Sequence, residues 1–321
     1  MMSRLTASLA AVEQYPDPLM RSCHTLWPNA DVTIHRIQGG MTNNNYLVTV
    51  DSARCFFAQH QIGGEAVRLV GIDRYRQLAT HQLAAGLGIA PRLVHANIDE
   101  RIFITEFIDG ATLTPETARE PAVITAVAQL LRSLHEAAPR PEYDAWVSHP
   151  FRGLWNTAAL ARRHQPRGVD EVEPALALMR RFENARGTWE PVLTHIDLLC
   201  GNLMITPERL WLIDWEYAGL GDPLYDLGDY AGKNDLPVES VEQLLTDYFG
   251  HPPSARDVAI VQLYGIDSLL RECLWAMGMA ALADNGFDHA GYSDELKARA
   301  LAAAESSAAV AQLAKVESKA A

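Results

Sequence analysis

Four side chains in the segment Leu193 to Asp229, LTHIDLLCGNLMITPERLWLIDWEYAGLGDPLYDLGD, have the types and spacing for phosphoryl transfer. His195, Asp197 and Asn202 form the pattern H-x-D-x-x-x-x-N, and Asp214 follows twelve residues after Asn202. Asp197 can accept a proton from an attacking hydroxyl. Asn202 and Asp214 supply oxygen ligands that suit a hard cation such as Mg2+, which would bridge nucleotide phosphates. These chemistries belong together only if a fold brings the four residues to one place.

The flanking residues predict how that happens. The apolar run Pro191-Val192-Leu193 precedes the polar stretch and Leu203-Met204-Ile205 follows it. A turn at Thr206-Pro207-Glu208-Arg209 separates the second run from Leu210-Trp211-Leu212-Ile213, which ends at Asp214. A loop, strand, turn and strand in this order would place Asn202 and Asp214 side by side at one end of a hairpin.

The segment resembles the choline/ethanolamine kinase branch of the aminoglycoside-phosphotransferase-like kinases, whose catalytic loop and metal-binding Asp follow the spacing of protein kinases. The likeness rests on IDWEYAG followed by GDPLYDLGD and extends from about Ile34 to Trp275. It implies an α+β, two-lobed protein-kinase-like fold: a small N-lobe with an antiparallel sheet (1–108) and a larger, mainly helical C-lobe (109–321). It also implies an ATP- and Mg2+-dependent transfer to the hydroxyl of a small alcohol. Asp197 is then the base, Asn202 and Asp214 hold metal, and His195 braces the loop.

Upstream, Val32–Ile37, Tyr46–Val50 and Cys55–Ala58 read as strands of a meander. Gly39, Gly40, Thr42, Asn43, Asn44 and Asn45 lie in its first turn, where Gly and Asn tolerate left-handed backbone and let a main chain approach phosphates. GGMTNNNY resembles the corresponding family loop. The resemblance places adenine against backbone groups around Glu106 and Ile108, after the strand Ile102–Ile108. It also expects a basic residue on the third strand paired with a Glu on the next helix. Those positions fall here at about Gln59 and at Gln77, both neutral. Arg68, Arg74, Arg76 and His60 are the nearby groups able to supply the missing charge, and a ligand-binding relative without turnover stays open.

For the acceptor, the resemblance points to an aromatic and acidic cage for an ammonium group. One Trp of the family's W-x-x-W helix stands as Trp275 and the other is replaced by Glu272. Tyr292 is the later aromatic, and Trp215, Glu216 and Tyr217 follow the metal Asp. Choline or ethanolamine is the leading acceptor, with thiamine, a sugar or an aminoglycoside as alternatives.

The rest of the chain predicts helices over Ile72–Leu87, Thr125–His135, Val238–Phe249, Ala255–Met279 and Asp294–Ser318, with Tyr15-Pro16-Asp17-Pro18 read as a break. The 321 residues, 48% hydrophobic, suffice for a sizeable core. A net charge of −13 argues against a nucleic-acid partner and suits a cationic small molecule. No apolar run reaches the length of a membrane span, and Glu13, Asp17 and two prolines interrupt residues 1–22, which predicts a cytoplasmic protein. Four dispersed cysteines suggest neither disulfides nor a zinc site. A homodimer is compatible with the resemblance, though no interface motif stands out.

Overall fold

Alternation of apolar side chains in two short runs, Val32/Ile34 and Tyr46/Val48/Val50, gives one face of a sheet its core contacts. In the computed structural model, which describes residues 15–37, 41–63, 67, 70–137, 148–282 and 286–318, these runs form β1 (Val32–Ile37) and β2 (Asn44–Val50). With β3 (Arg54–His60), β4 (Leu93–Asn97) and β5 (Ile102–Glu106) they build an antiparallel sheet in the order β1-β2-β3-β5-β4. Helix α1 (Asp17–Leu26) packs Leu19 and Cys23 against the apolar face with Val48, Ala58 and Ile104.

The opposite face is more polar. Asn45 pairs in register with Gln59, and Gln59 with Phe103, so these three side chains share the face that lines the large cleft. Helix α2 (Arg74–Gly86) lies beside it, capped by the Asp73 carboxylate, which accepts from the N–H groups of Tyr75 and Arg76 at 2.9 and 3.1 Å. Gly88, at φ +72°, turns the chain out of that helix.

Beyond β6 (Ala111–Thr112) the chain is mainly helical. Helices α3 (Pro121–Ala137), α4 (Pro150–His164), α5 (Pro166–Glu171) and α6 (Glu173–Arg186) precede β7 (Val192–Thr194). The hairpin of β8 (Leu203–Ile205) and β9 (Leu210–Leu212) pairs Leu203 with Leu212 and adds β6 at its edge. After β10 (Gly219–Gly221) come α7 (Pro223–Lys233), α8 (Val238–Phe249) and α9 (Ala255–Leu282), then α10 (His289–Ala304) and α11 (Ser307–Glu317). Buried side chains run along nearly all of α9, which crosses the centre of this helical part.

Two expectations need correction. Asp17-Pro18, read as part of a break, instead opens α1, because a proline in the first turn forfeits no intrahelical bond; the residues before Tyr15 lie outside the described residues. The span Asp294–Ser318 is two helices. Ser306 ends the first and caps the second, its hydroxyl accepting from the Ala309 N–H at 3.1 Å.

Candidate active site

Helix α7 organises the catalytic loop from below. Asp222 caps its N-terminus, accepting from the Leu224 N–H at 3.0 Å, and Pro223 occupies the first turn. Asp226, Asp229 and Lys233 then recur at i, i+3 and i+7 and so share one helix face. Asp226 accepts from the N–H groups of His195 and Ile196 at 2.8 and 2.9 Å, and Asp229 accepts from that of Leu198. These bonds hold the β-branched Ile196 at φ +68°, a conformation such residues adopt only under constraint. DPLYDLGD is therefore the support of the loop that carries Asp197, the candidate base.

His195 ties that loop to the strand before Asp214. Its Nε2 donates to the Ile213 carbonyl at 3.0 Å, its Nδ1 accepts from the Asp197 N–H at 3.3 Å, and its ring meets the edge of buried Trp215. Burial pushes its pKa down, favouring the neutral ring that these two bonds require.

Both oxygens of Asp197 are engaged. Lys233 Nζ donates to Oδ1 at 2.7 Å, and Asn202 Nδ2 donates to Oδ2 at 3.0 Å and to the Asp197 carbonyl at 2.9 Å. Burial acts to raise the Asp197 carboxyl, but Lys233, His195 and Arg271 outweigh it and hold it below its ordinary range. Lys233 also pairs with Asp229 at 3.2 Å and with Glu272 at 2.7 Å. Burial would lower its ammonium pKa; three carboxylates raise it well above normal instead.

Asp214 directly follows Ile213, whose N–H donates to the Asn202 carbonyl at 2.9 Å, so the hairpin brings the two candidate ligands to one end. Asp214 sits at φ +65°, and its Oδ1 is buried with no hydrogen-bond partner. Burial, Glu216 and Asp197 together push its carboxyl well above the ordinary range. An unsatisfied buried carboxylate oxygen is costly. With the Asn202 amide nitrogen spent on Asp197, the Asn202 Oδ1 is left to complete a pair of oxygen ligands. This pair of oxygen donors would suit a hard cation such as Mg2+. Among the described residues no cluster of three or more His, Cys, Asp or Glu forms a self-sufficient metal cage.

The cleft has a volume of about 830 Å³ and runs from the sheet to the far end of α9. Thr42, Asn43, Asn45, Gln59, Gln77, Glu106 and Ile108 line it on the sheet side. Gly39 and Gly40 lie outside the described residues. Asn44 is not among the lining residues; its side chain accepts from Arg36 at 2.9 Å. Asn43 lines the cleft but spends its amide on Glu216 (3.1 Å) and the Ile62 N–H (3.1 Å). The Glu106 N–H is taken by the Arg92 carbonyl at 2.9 Å, so it is not the group an adenine would meet.

The neutral amides form a chain through a residue the sequence reading overlooked. Gln61 Nε2 donates to Gln77 at 3.1 Å and to Gln59 at 3.4 Å, so Gln77 meets Gln61 rather than Gln59. The nearby cation is Arg74. Its Nη1 donates to Gln77 at 2.8 Å and pairs with Glu216 at 2.9 Å, both side chains being buried. Arg76 instead donates to the Gly71 carbonyl at 2.6 Å. Arg68 lies outside the described side chains.

At the acceptor end the structure brings Glu216, Tyr217, Glu272, Trp275 and Tyr292 to the cleft wall. Glu272 is not a free anion: Lys233 holds Oε2 and the Tyr292 hydroxyl donates to Oε1 at 2.6 Å. Trp215 is core, 1% exposed, with its Nε1 on the Leu212 carbonyl at 3.0 Å. Lys233 and Arg271 went unnoticed in the sequence. The one signal was the spacing Asp226, Asp229, Lys233 on a single helix face.

Fold and site define an alcohol phosphotransferase, and residues 33–258 match the phosphotransferase enzyme family APH. The chain belongs to that family. Ethanolamine kinase 2 of Mus musculus is 24% identical over 301 residues, covering 86% of this chain and 77% of its own. Protein LicA of Haemophilus influenzae is 26% identical over 217 residues, with 65% and 61% covered. Two solved structures share the two-lobed kinase-like fold. A choline/ethanolamine kinase family protein from Mesorhizobium loti superposes with a TM-score of 0.70 at 24% identity, over 89% of this chain and 92% of its own. Choline kinase LicA from Streptococcus pneumoniae gives 0.72 at 22%, over 89% and 97%.

Proposed function

We propose that this protein is an ATP- and Mg2+-dependent kinase that phosphorylates the hydroxyl of a small amino alcohol, with choline and ethanolamine as the first acceptors to test. The observation that carries the reading is the conjunction of a braced, ionised Asp197 with the unpartnered Asp214 Oδ1 beside Asn202. The kinases named among the relatives support the amino-alcohol class, and LicA solved with AMP supports nucleotide use. A bound Mg2+ supplies neutralisation of phosphate charge, and Asp214 and Asn202 are the residues that would hold it.

The chain's own groups do the rest. Asp197 orients the acceptor hydroxyl and takes its proton as the oxygen bonds to the γ-phosphorus; the bond to the β,γ-bridging oxygen breaks and ADP leaves. Lys233 and Asn202 hold the carboxylate oriented, and His195 keeps the loop rigid, so positioning supplies much of the acceleration. Arg74 is the cation that bonds Gln77, at the position where the family's helix Glu would stand. We take the lobe boundary at about Ile108, and the cleft between the lobes as the nucleotide site.

A second reading, nucleotide binding without turnover, is motivated by Gln59, Gln61 and Gln77, neutral amides where the family resemblance expects a charged pair, with Arg74 already engaged by Gln77 and Glu216. ADP release measured across a panel of amino alcohols, thiamine, sugars and aminoglycosides separates the two. Acceptor-dependent release supports the kinase; nucleotide binding with no acceptor-dependent release favours the second reading.

A further inference from the structure

The end of the cleft around Glu272 and Trp275 holds hydrogen-bond donors that no described residue occupies. Asp197 and Glu272 each have both oxygens engaged by protein donors. Glu216 accepts from both Arg74 and Asn43 on one oxygen. Among the described residues Arg271, by contrast, makes one hydrogen bond, from Nη2 to the Ile196 carbonyl at 2.9 Å, while its guanidinium carbon lies 5.6 Å from the ring centres of both Tyr217 and Tyr225. That bond fixes the guanidinium one peptide from Asp197.

Arg152, on the neighbouring helix α4, is exposed and lines the same cleft. The adjoining Gly153 lies close to Arg271: a Cβ built there would stand 3.6 Å from its Cδ and Nη1. Among the described residues neither arginine has a carboxylate within ion-pair distance. Trp275, 7% exposed and also on the cleft wall, has a buried Nε1 with no partner.

The geometry points to an acceptor that carries a carboxylate as well as its hydroxyl and amine, bound by Arg271 and Arg152 with Trp275 Nε1 as a third donor. This inference rests on the amino-alcohol kinase reading and narrows it. A guanidinium matches a planar carboxylate with two parallel N–H donors, which an ammonium cannot exploit and would be repelled by. The same donors would also suit a nucleotide γ-phosphate, so the experiment must tell these two anions apart.

The test uses the full chain with ATP and Mg2+, and matched acceptors that differ only by the carboxylate. Ethanolamine is compared with serine, and 3-aminopropan-1-ol with its counterpart carboxylated on the amine-bearing carbon. The wild type is expected to favour a carboxylated member at least tenfold in kcat/KM. In Arg152→Ala and Arg271→Met that ratio should fall at least tenfold through the acceptor KM, with Arg271→Lys recovering part of it. Arg152→Ala alters an exposed side chain, so the test survives even if the Arg271 variants fold poorly. Equal or better turnover of the uncarboxylated members overturns the inference and leaves the kinase reading standing. A rise in the KM for ATP with the ratio unchanged also overturns it, assigning the arginines to the nucleotide. Absence of turnover for every acceptor overturns both.

Discussion

Lys233 Nζ lies 2.7 Å from Asp197 Oδ1 and 2.7 Å from Glu272 Oε2, joining the candidate base to the acceptor wall through one buried ammonium. Its side chain is 4% exposed, so solvent does little to screen these pairs.

Replacing Lys233 by Met strands the charges of Asp197, Asp229 and Glu272. Breaking a buried pair by removing one partner typically costs about 3–5 kcal/mol. Lys233→Met should therefore lower the denaturation midpoint markedly and reduce kcat more than tenfold. Adding Glu272→Gln should recover part of the stability, as double-variant denaturation curves would register; no recovery would argue that the pair is not coupled.

Asp197→Ala and Asp214→Ala are expected to cut kcat at least about a hundredfold, the scale of a lost general base or a lost charge-stabilising group. Circular dichroism should remain native for both. Near wild-type turnover in either variant would remove that residue from the chemistry.

The position of Lys233 depends on how closely two helices cross. A Cβ on Gly265 of α9 would stand 3.1 Å from the Gly232 Cα, and one on Gly232 would collide with the Gly265 backbone. In an isolated helix Gly→Ala gains about 1 kcal/mol, whereas overpacking costs about 1–3 kcal/mol or more. Here the obstacle is backbone, so the steric cost wins. Gly232→Ala should destabilise by more than about 2 kcal/mol and lower kcat, by displacing Lys233. A stabilised, fully active variant would show that the crossing relaxes freely.

Asp267 gives stability a pH dependence. Burial raises its carboxyl pKa to about 7, against the opposing pulls of Arg271 and of the Tyr225 hydroxyl. The folded state thus holds a proton that the unfolded chain releases near pH 4. Stability from this group is complete below about pH 4 and declines by about 1.4 kcal/mol per pH unit as pH rises to about 7. Asp267→Asn should flatten that decline and be more stable than wild type at pH 8, measured by urea denaturation at several pH values. Parallel pH curves for the two proteins would contradict the assignment.

The strands and most helices of this fold are written in local periodicity. Val32–Ile37 alternates and becomes β1 as read, and Val238–Phe249 becomes α8 with the same ends. Asp197, Asn202 and Asp214 were legible because one loop and one hairpin carry all three. Arg74, Lys233 and Arg271 were not identified as partners, because each reaches the site from a different helix and its partner is set by packing. Arg74 stands 142 positions from Glu216, and Arg271 reaches the Ile196 carbonyl across 75. The position expected at about Gln59 allowed a residue or two either way, and only the observed contact shows that Gln61, just past the end of β3, is the one that meets Gln77. Ser306 could have been recognised as a cap, but the alanine-rich surroundings masked it.

In the proposed reaction Asp197 directs phosphoryl transfer from ATP to an alcohol. The most direct measurement is phosphorus NMR of the wild type and Asp197→Asn incubated with ATP, Mg2+ and the acceptor panel. A new phosphomonoester resonance with stoichiometric ADP is expected for the wild type and none on the same timescale for Asp197→Asn. ATP bound by the wild type with no phosphomonoester from any acceptor, or equal product from both proteins, would contradict it.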